Sequence, residues 1–202
     1  MEPGRDEEAG SPERKPPWQA LPVLSEQQSE AVELVAAYAA PVGAVVVDPG
    51  SGRVLATGHD CSSATSPLLH ATMVCVDLVA QGQGRGAHDL TAHPACSFEP
   101  PASPLTVRPG VVRKLDTEAE DDEDGLPYVC TGYDLYITRE PCVMCAMALV
   151  HARIRRVFYG APSPDGALGT RFRLHARPDL NHRFLVFRGV LEDQCHRLDP
   201  DI

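Results

Sequence analysis

The sequence predicts an α/β protein, a three-layer sandwich in which a mixed five-stranded sheet is flanked by helices. Three observations lead there. Five short runs rich in β-branched and aromatic residues, GAVVVD, RVLATG, YDLYITR, RRVFYG and RFLVFRGV, read as strands. Two longer stretches, at residues 70–81 and in PCVMCAMALVHAR, carry an apolar face at helical spacing. Their order along the chain, β-β-α-β-α-β and a last β, interleaves the two kinds of element, which calls for helices packed on a sheet. With 202 residues, 43% of them hydrophobic, the chain is long enough for one domain with a sizeable core.

In chain order, residues 1–24 are acidic and Pro-rich and read as a disordered leader. Residues 25–41 read as a short helical segment, capped by Ser25 or Ser29 and stopped by Pro41, a remnant of an N-terminal region. The main domain then runs over 42–202. GAVVVD and RVLATG flank PGSG and form a hairpin. The helix over 70–81 presents Ala71, Val74, Cys75 and Leu78 on one side. From about 84 to 127 periodicity vanishes among glycines, prolines and acids, which predicts a disordered acidic insertion. YDLYITR restores order as a strand, and Pro141 opens the next helix at its first turn. RRVFYG is a strand, GALGTRFRLH a Gly-punctuated segment with a short helix, RFLVFRGV a strand, and LEDQCHRL a final turn or two of helix.

Composition excludes some classes. There is no run of about 18 apolar residues, so no membrane partner is expected, and the acidic, Pro-rich N-terminus has no secretory core. Seven cysteines without an export signal favour reduced thiols and a metal site over a disulfide framework. The net charge of −10 opposes a nucleic-acid partner in bulk, but its distribution is uneven. Seven acids fall between Asp116 and Asp124, whereas Arg153 to Arg188 hold eight arginines against Asp165 and Asp179. Local field steers a polyanion more than total charge does. Arg153, Arg155, Arg156, Arg171 and Arg173 are therefore candidates for a nucleic-acid or partner surface, the alternative being arginines solvated on helix and strand surfaces.

The chemistry concentrates at three residues. Cys142 and Cys145 lie three apart at a helix start, so both sulfurs face one side of the first turn, and the helix N-terminus favours the thiolate that binds metal. A helix beginning near His70 brings an imidazole as third ligand. His70, Cys142 and Cys145 with an open fourth position match a Zn²⁺ site of the catalytic kind; taken alone, C-x-x-C also suits a redox pair or buried thiols. His151 reads as a core or surface histidine. Cys75, Cys96, Cys130 and Cys195 show no metal-like spacing, and Ser66, Ser163 and Asp165 form no nucleophile arrangement.

These residues carry a resemblance. Zinc deaminases share H-x-E followed by P-C-x-x-C; here HAT and PCVMC stand in that order, with Thr72 at the glutamate position. GAVVVDPGSGRVLATGHD, LYITREPCVMCAMALVHARIRRVFYGA, DGALGT and LNHRFLVFRGVL, spanning about Val42 to Leu198, resemble successive segments of the cytidine deaminase-like superfamily, and within it the tRNA adenosine deaminases. The missing glutamate and the long loop after the first motif helix resemble the non-catalytic subunits of the eukaryotic tRNA adenosine-34 deaminases. The resemblance implies a cytidine deaminase-like fold, a bound Zn²⁺ and no turnover by this chain. It also implies a heterodimer with a catalytic tRNA adenosine deaminase subunit, tRNA as a partner, inosine as that complex's product, and a nuclear and cytoplasmic location. Asp60 stands where active members carry an asparagine that touches the ribose.

One glutamate serves every proton transfer in deamination, and a threonine hydroxyl does not titrate near neutrality. Glu140, Asp60 and Asp77 are the acids that could replace it, Glu140 alternatively capping the helix it precedes. Two other readings remain: an active nucleotide or tRNA deaminase with a displaced acid/base, and a zinc-stabilised interaction module. The tail HRLDPDI, through Asp199, Asp201 or the Ile202 carboxylate, is expected at the open zinc position, the alternative being a bound water there and a frayed terminus.

Overall fold

The computed structural model describes residues 42–63, 66–90, 96–98 and 128–198. The leader, the segment 25–41, most of the acidic insertion and the last four residues lie outside these, as do the expectations placed on them.

The hairpin forms as its sequence directs. Strands β1 (Gly43–Asp48) and β2 (Arg53–His59) pair antiparallel across the PGSG turn. The Asp48 carboxylate holds that turn, accepting from Gly50 N at 2.9 Å and Ser51 Oγ at 2.7 Å, as Asx residues do. Helix α1 spans Ala71–Gly82 with His70 at its N-cap. A two-residue strand β3 (Ser97–Phe98) follows, then β4 (Asp134–Arg139), α2 (Val143–His151), β5 (Arg156–Ala161), β6 (Leu185–Arg188) and α3 (Glu192–Leu198). The short helix expected in GALGTRFRLH is one 3₁₀ turn, Leu174–Ala176.

The sheet has six strands in the order β3-β2-β1-β4-β5-β6, one more than the sequence predicts. The added strand is β3, which pairs Ser97 with Thr57 and Phe98 with Ala56 at the β2 edge. It lies inside the segment expected to be structureless, and two residues are too few to show a period. Part of that segment is thus ordered. Residues 87 and 88 also donate their amides to the Asp77 carboxylate at 2.7 and 3.2 Å.

β1 pairs antiparallel with β2 and β4, whereas β4, β5 and β6 run parallel. Alternation along the strands makes two cores. On one face Ala44, Val46, Leu135, Ile137, Val157 and Tyr159 pack with Val74, Leu78, Ala146 and Leu149 of α1 and α2. On the other, Val45, Val47, Tyr136 and Phe158 form a second cluster with Val190. Tyr136, Phe158 and Phe187 are cross-strand neighbours there and stack at 4.5 and 4.8 Å between centroids. Cys195 of α3 covers this face over Gly160. Helices on both faces give the three layers. No helix among the described residues is long and apolar enough to cross a membrane.

Because β4 and β5 are parallel, α2 must return the chain from the end of one to the start of the other, about 14 Å at 1.5 Å per residue. Its first turn, and that of α1, therefore lie at the strand end opposite Arg153–Arg156.

Candidate metal centre

His70 and Cys142 are the N-cap residues of α1 and α2, both with extended backbone, and Cys145 lies one turn into α2. Tertiary packing brings the two helix starts together. His70 Nδ1 stands 3.7 Å from Cys142 Sγ and 3.6 Å from Cys145 Sγ, and the three donor atoms all lie within 4.8 Å of one another. In a tetrahedral zinc site, with sulfur at about 2.3 Å and nitrogen at about 2.0–2.1 Å, neighbouring donors stand about 3.5–3.8 Å apart. The donor set and its edges fit zinc.

The electrostatics point the same way. Hydrogen bonding from the Cys145 side chain, opposed by burial and aided by the Cys145 amide and His70, brings the Cys142 thiol down to about 5. Cys145 is pushed far up, first by sharing its proton with Cys142 and then by burial. One thiolate is therefore ready at neutral pH, while the second needs a cation to displace its proton. In chelator-treated protein, iodoacetamide should label Cys142 rapidly down to about pH 5 and spare Cys145. A labelling midpoint in the ordinary thiol range would contradict this ordering.

Thr72, the second residue of α1, is 1% exposed. Its hydroxyl faces the Cys145 sulfur and slightly favours that thiolate, yet Oγ1 forms no bond of good geometry. A buried hydroxyl without a partner is costly, and this one is directed at the donor cluster.

The cavity at the cluster has a volume of about 240 Å³ and is lined also by Asp60, Glu140 and Asp165. Each of these carboxylates has a partner on the chain, and Glu140 has both oxygens engaged. Glu140, only 3% exposed, accepts five hydrogen bonds. They come from the amides of Ser163, Leu168, Gly169 and Thr170 and from Thr170 Oγ1, at 2.7–3.2 Å. It anchors the DGALGT loop and caps no helix. That loop wraps it closely: a Cβ at Gly166 would fall 2.1 Å from Glu140 Cδ. Asp60 Oδ1 is held by Ser62 N at 2.9 Å and by Ser62 Oγ, and Asp165 pairs with Arg171 at 2.9 Å. Asp77 does not line the cavity; it accepts from Gln81 Nε2 and two loop amides.

The five candidate arginines do not form one surface. Arg156 is committed to Asp134, which is 1% exposed at its side chain, through a two-pronged ion pair. Arg153 donates to Asn181 O at 3.0 Å and lies 4.5 Å over the Tyr128 ring. Both are structural, and Arg156 drops out as a free surface cation. Arg155 is exposed beside them, at the far end from the metal cluster. Arg171 and Arg173 are exposed on the segment after Thr170, with Arg171 at the cavity rim through Asp165. His151 is exposed at the C-terminal end of α2, away from the thiols. The tail expected to reach the cluster lies outside the described residues. Cys96 does not stand alone: His59, Cys61 and Cys96 form a second close group. The 35-residue gap between the two cysteines hid it from any spacing rule.

The family model for the cytidine and deoxycytidylate deaminase zinc-binding region matches residues 22–161. The chain belongs to that deaminase family. Over 160 residues this deaminase-family chain is 79% identical to a Homo sapiens protein named "Probable inactive tRNA-specific adenosine deaminase-like protein 3", covering 79% of this chain and 44% of that protein. It is 35% identical over 158 residues to "tRNA-specific adenosine deaminase TAD3" of Arabidopsis thaliana, covering 69% of this chain and 38% of that one. It therefore spans less than half the length of these curated relatives. A solved structure from studies of A-to-I editing by tRNA deaminases at the wobble position of transfer RNA superposes with a TM-score of 0.57. That match has 25% identity and covers 84% of this chain and 99% of the other.

Proposed function

We propose that this chain is the catalytically inactive, zinc-binding subunit of a heterodimeric tRNA deaminase that converts adenosine-34 to inosine at the anticodon wobble position. The observation that carries this reading is Thr72. It occupies the motif position two residues after His70, and Glu140, the one buried carboxylate of the cavity lining, has both oxygens engaged by the loop 163–170. His70, Cys142 and Cys145 would hold the metal. Zinc in such a site supplies positive charge that activates a bound water, but deamination also requires an acid/base to move protons. Thr72 can only donate or accept a hydrogen bond, so it does not move those protons. Glu140 fixes the loop over the cavity, and Asp60 is tied into a turn.

The names of the relatives, one called probably inactive and one a tRNA-specific adenosine deaminase, support the same assignment. A catalytic subunit would supply the missing glutamate, and both chains would present surface to tRNA. Arg171, Arg173 and Arg155 are this chain's candidates for that contact. Reversing Arg156 would be a poor test of it, since the change would strand the buried Asp134. The deciding experiment assays inosine in tRNA transcripts with the chain alone, the catalytic subunit alone, and the co-expressed pair. Inosine should form with the pair and not with this chain. Inosine made by the isolated chain, and lost on His70→Ala, would replace this reading with that of an active deaminase.

A further inference from the structure

We propose a second zinc site in this chain, built from His59, Cys61 and Cys96, that fastens the acidic insertion to the edge of the sheet. The ligand atoms all lie within 4.8 Å of one another. Cys61 Sγ stands 3.7 Å from Cys96 Sγ and 3.7 Å from His59 Nδ1. These are close to the about 3.5–3.8 Å edges of a tetrahedral site with two thiolates and one imidazole. The seven cysteines are all free thiols, and at 3.7 Å the two sulfurs stand well beyond the about 2.05 Å of a disulfide. The mixed nitrogen and sulfur donor set suits zinc over oxygen-seeking cations. Zinc takes the neutral Nδ1 lone pair of His59, which replaces the 2.9 Å contact of that atom with Asp60 O. A solvent molecule completes the fourth position.

The fold explains what such a site would do. His59 ends β2, Cys61 lies two residues on, and Cys96 directly precedes β3. β3 makes only two residue pairs with β2, little to hold a segment that continues into a run of seven acids. The Phe98 ring packs on Gly82, where a Cβ would fall 1.9 Å from Cζ. A metal on Cys96 closes the 35-residue loop from Cys61 and adds a covalent-strength tie beside that contact. The same turn carries Asp60, which lines the first cavity, so the second metal also steadies one wall of the first site.

Zinc measured by inductively coupled plasma mass spectrometry in the full chain, purified under reducing conditions, should reach two per chain. Cys96→Ser and Cys142→Ala should each lower it to one, and the double variant to none. One zinc lost in Cys96→Ser but kept in Cys142→Ala would support this site and overturn the other. One zinc or none in the wild type, unchanged by Cys96→Ser, overturns the proposal. So does a Cys61–Cys96 disulfide found throughout that preparation by peptide mapping. If Cys96→Ser does not fold, cobalt titration of the wild-type chain decides. Thiolate-to-cobalt absorption should rise through two equivalents, and saturation at one overturns the site.

Discussion

Cys142→Ala should remove one zinc per chain and lower the melting temperature by about 6–12 °C. The substitution takes away the thiolate that forms most readily, at a thiol brought down to about 5 by Cys145, the Cys145 amide and His70. It leaves His70 and a buried Cys145, which is 2% exposed, without a shared cation. Structural zinc binding is folding free energy where the site forms only in the folded chain. This domain has two packed cores besides the metal, so a loss of about 3 kcal/mol, less than for a metal-dependent finger, is the expected scale. In a chain of this size each kcal/mol moves the midpoint by about 2–4 °C. Calorimetry with and without chelator provides the control: chelation should lower the wild-type midpoint at least as far as the substitution does, and should shift the variant less than the wild type. Full zinc content and an unchanged midpoint in Cys142→Ala would end the assignment of this residue as a ligand.

Glu140→Gln should destabilise the chain by about 1–3 kcal/mol, because it leaves buried donors of the loop without an acceptor. The carboxylate now accepts from four amides and one hydroxyl. Glutamine keeps one acceptor oxygen and turns an NH₂ toward donors, so amides of the loop 163–170 lose their partner. Denaturant unfolding should show a lower midpoint with little change in slope. Hydrogen exchange should quicken first at Leu168, Gly169 and Thr170, the three amides that share Oε1. A stable Glu140→Gln chain whose complex nonetheless lost all inosine formation would mean that this residue is an acid/base after all.

Much of the architecture is legible in local pattern. β-branched and aromatic runs became strands at 43–48, 53–59, 134–139, 156–161 and 185–188, and the helical stretches became α1 and α2. The cluster of His70, Cys142 and Cys145 was legible for the same reason. Cys142 and Cys145 are neighbours on one helical turn, and His70 announces itself at the head of a second amphipathic helix. Thr72 could be read because its meaning depends on its two-residue offset from His70. Each of these signals lives within a few residues of chain.

What only the tertiary structure decided involves partners far apart in sequence. Glu140 looked like a helix cap or a spare acid until the loop 23–30 residues later closed over it. Five arginines close in sequence looked like one patch. The parallel β4–β5 crossover puts Arg153–Arg156 at one end of the sheet and the segment bearing Arg171 at the other, and Asp134, 22 residues before Arg156, claims its guanidinium. β3 has too few residues to show a period, and Cys96 reaches Cys61 and His59 only because β3 pairs with the β2 edge. Periodicity records which side of an element is buried; it holds no record of which distant side chain will meet that side. That choice is made when the chain closes its loops and packs, where geometry brings together charges and ligands that no spacing rule connects.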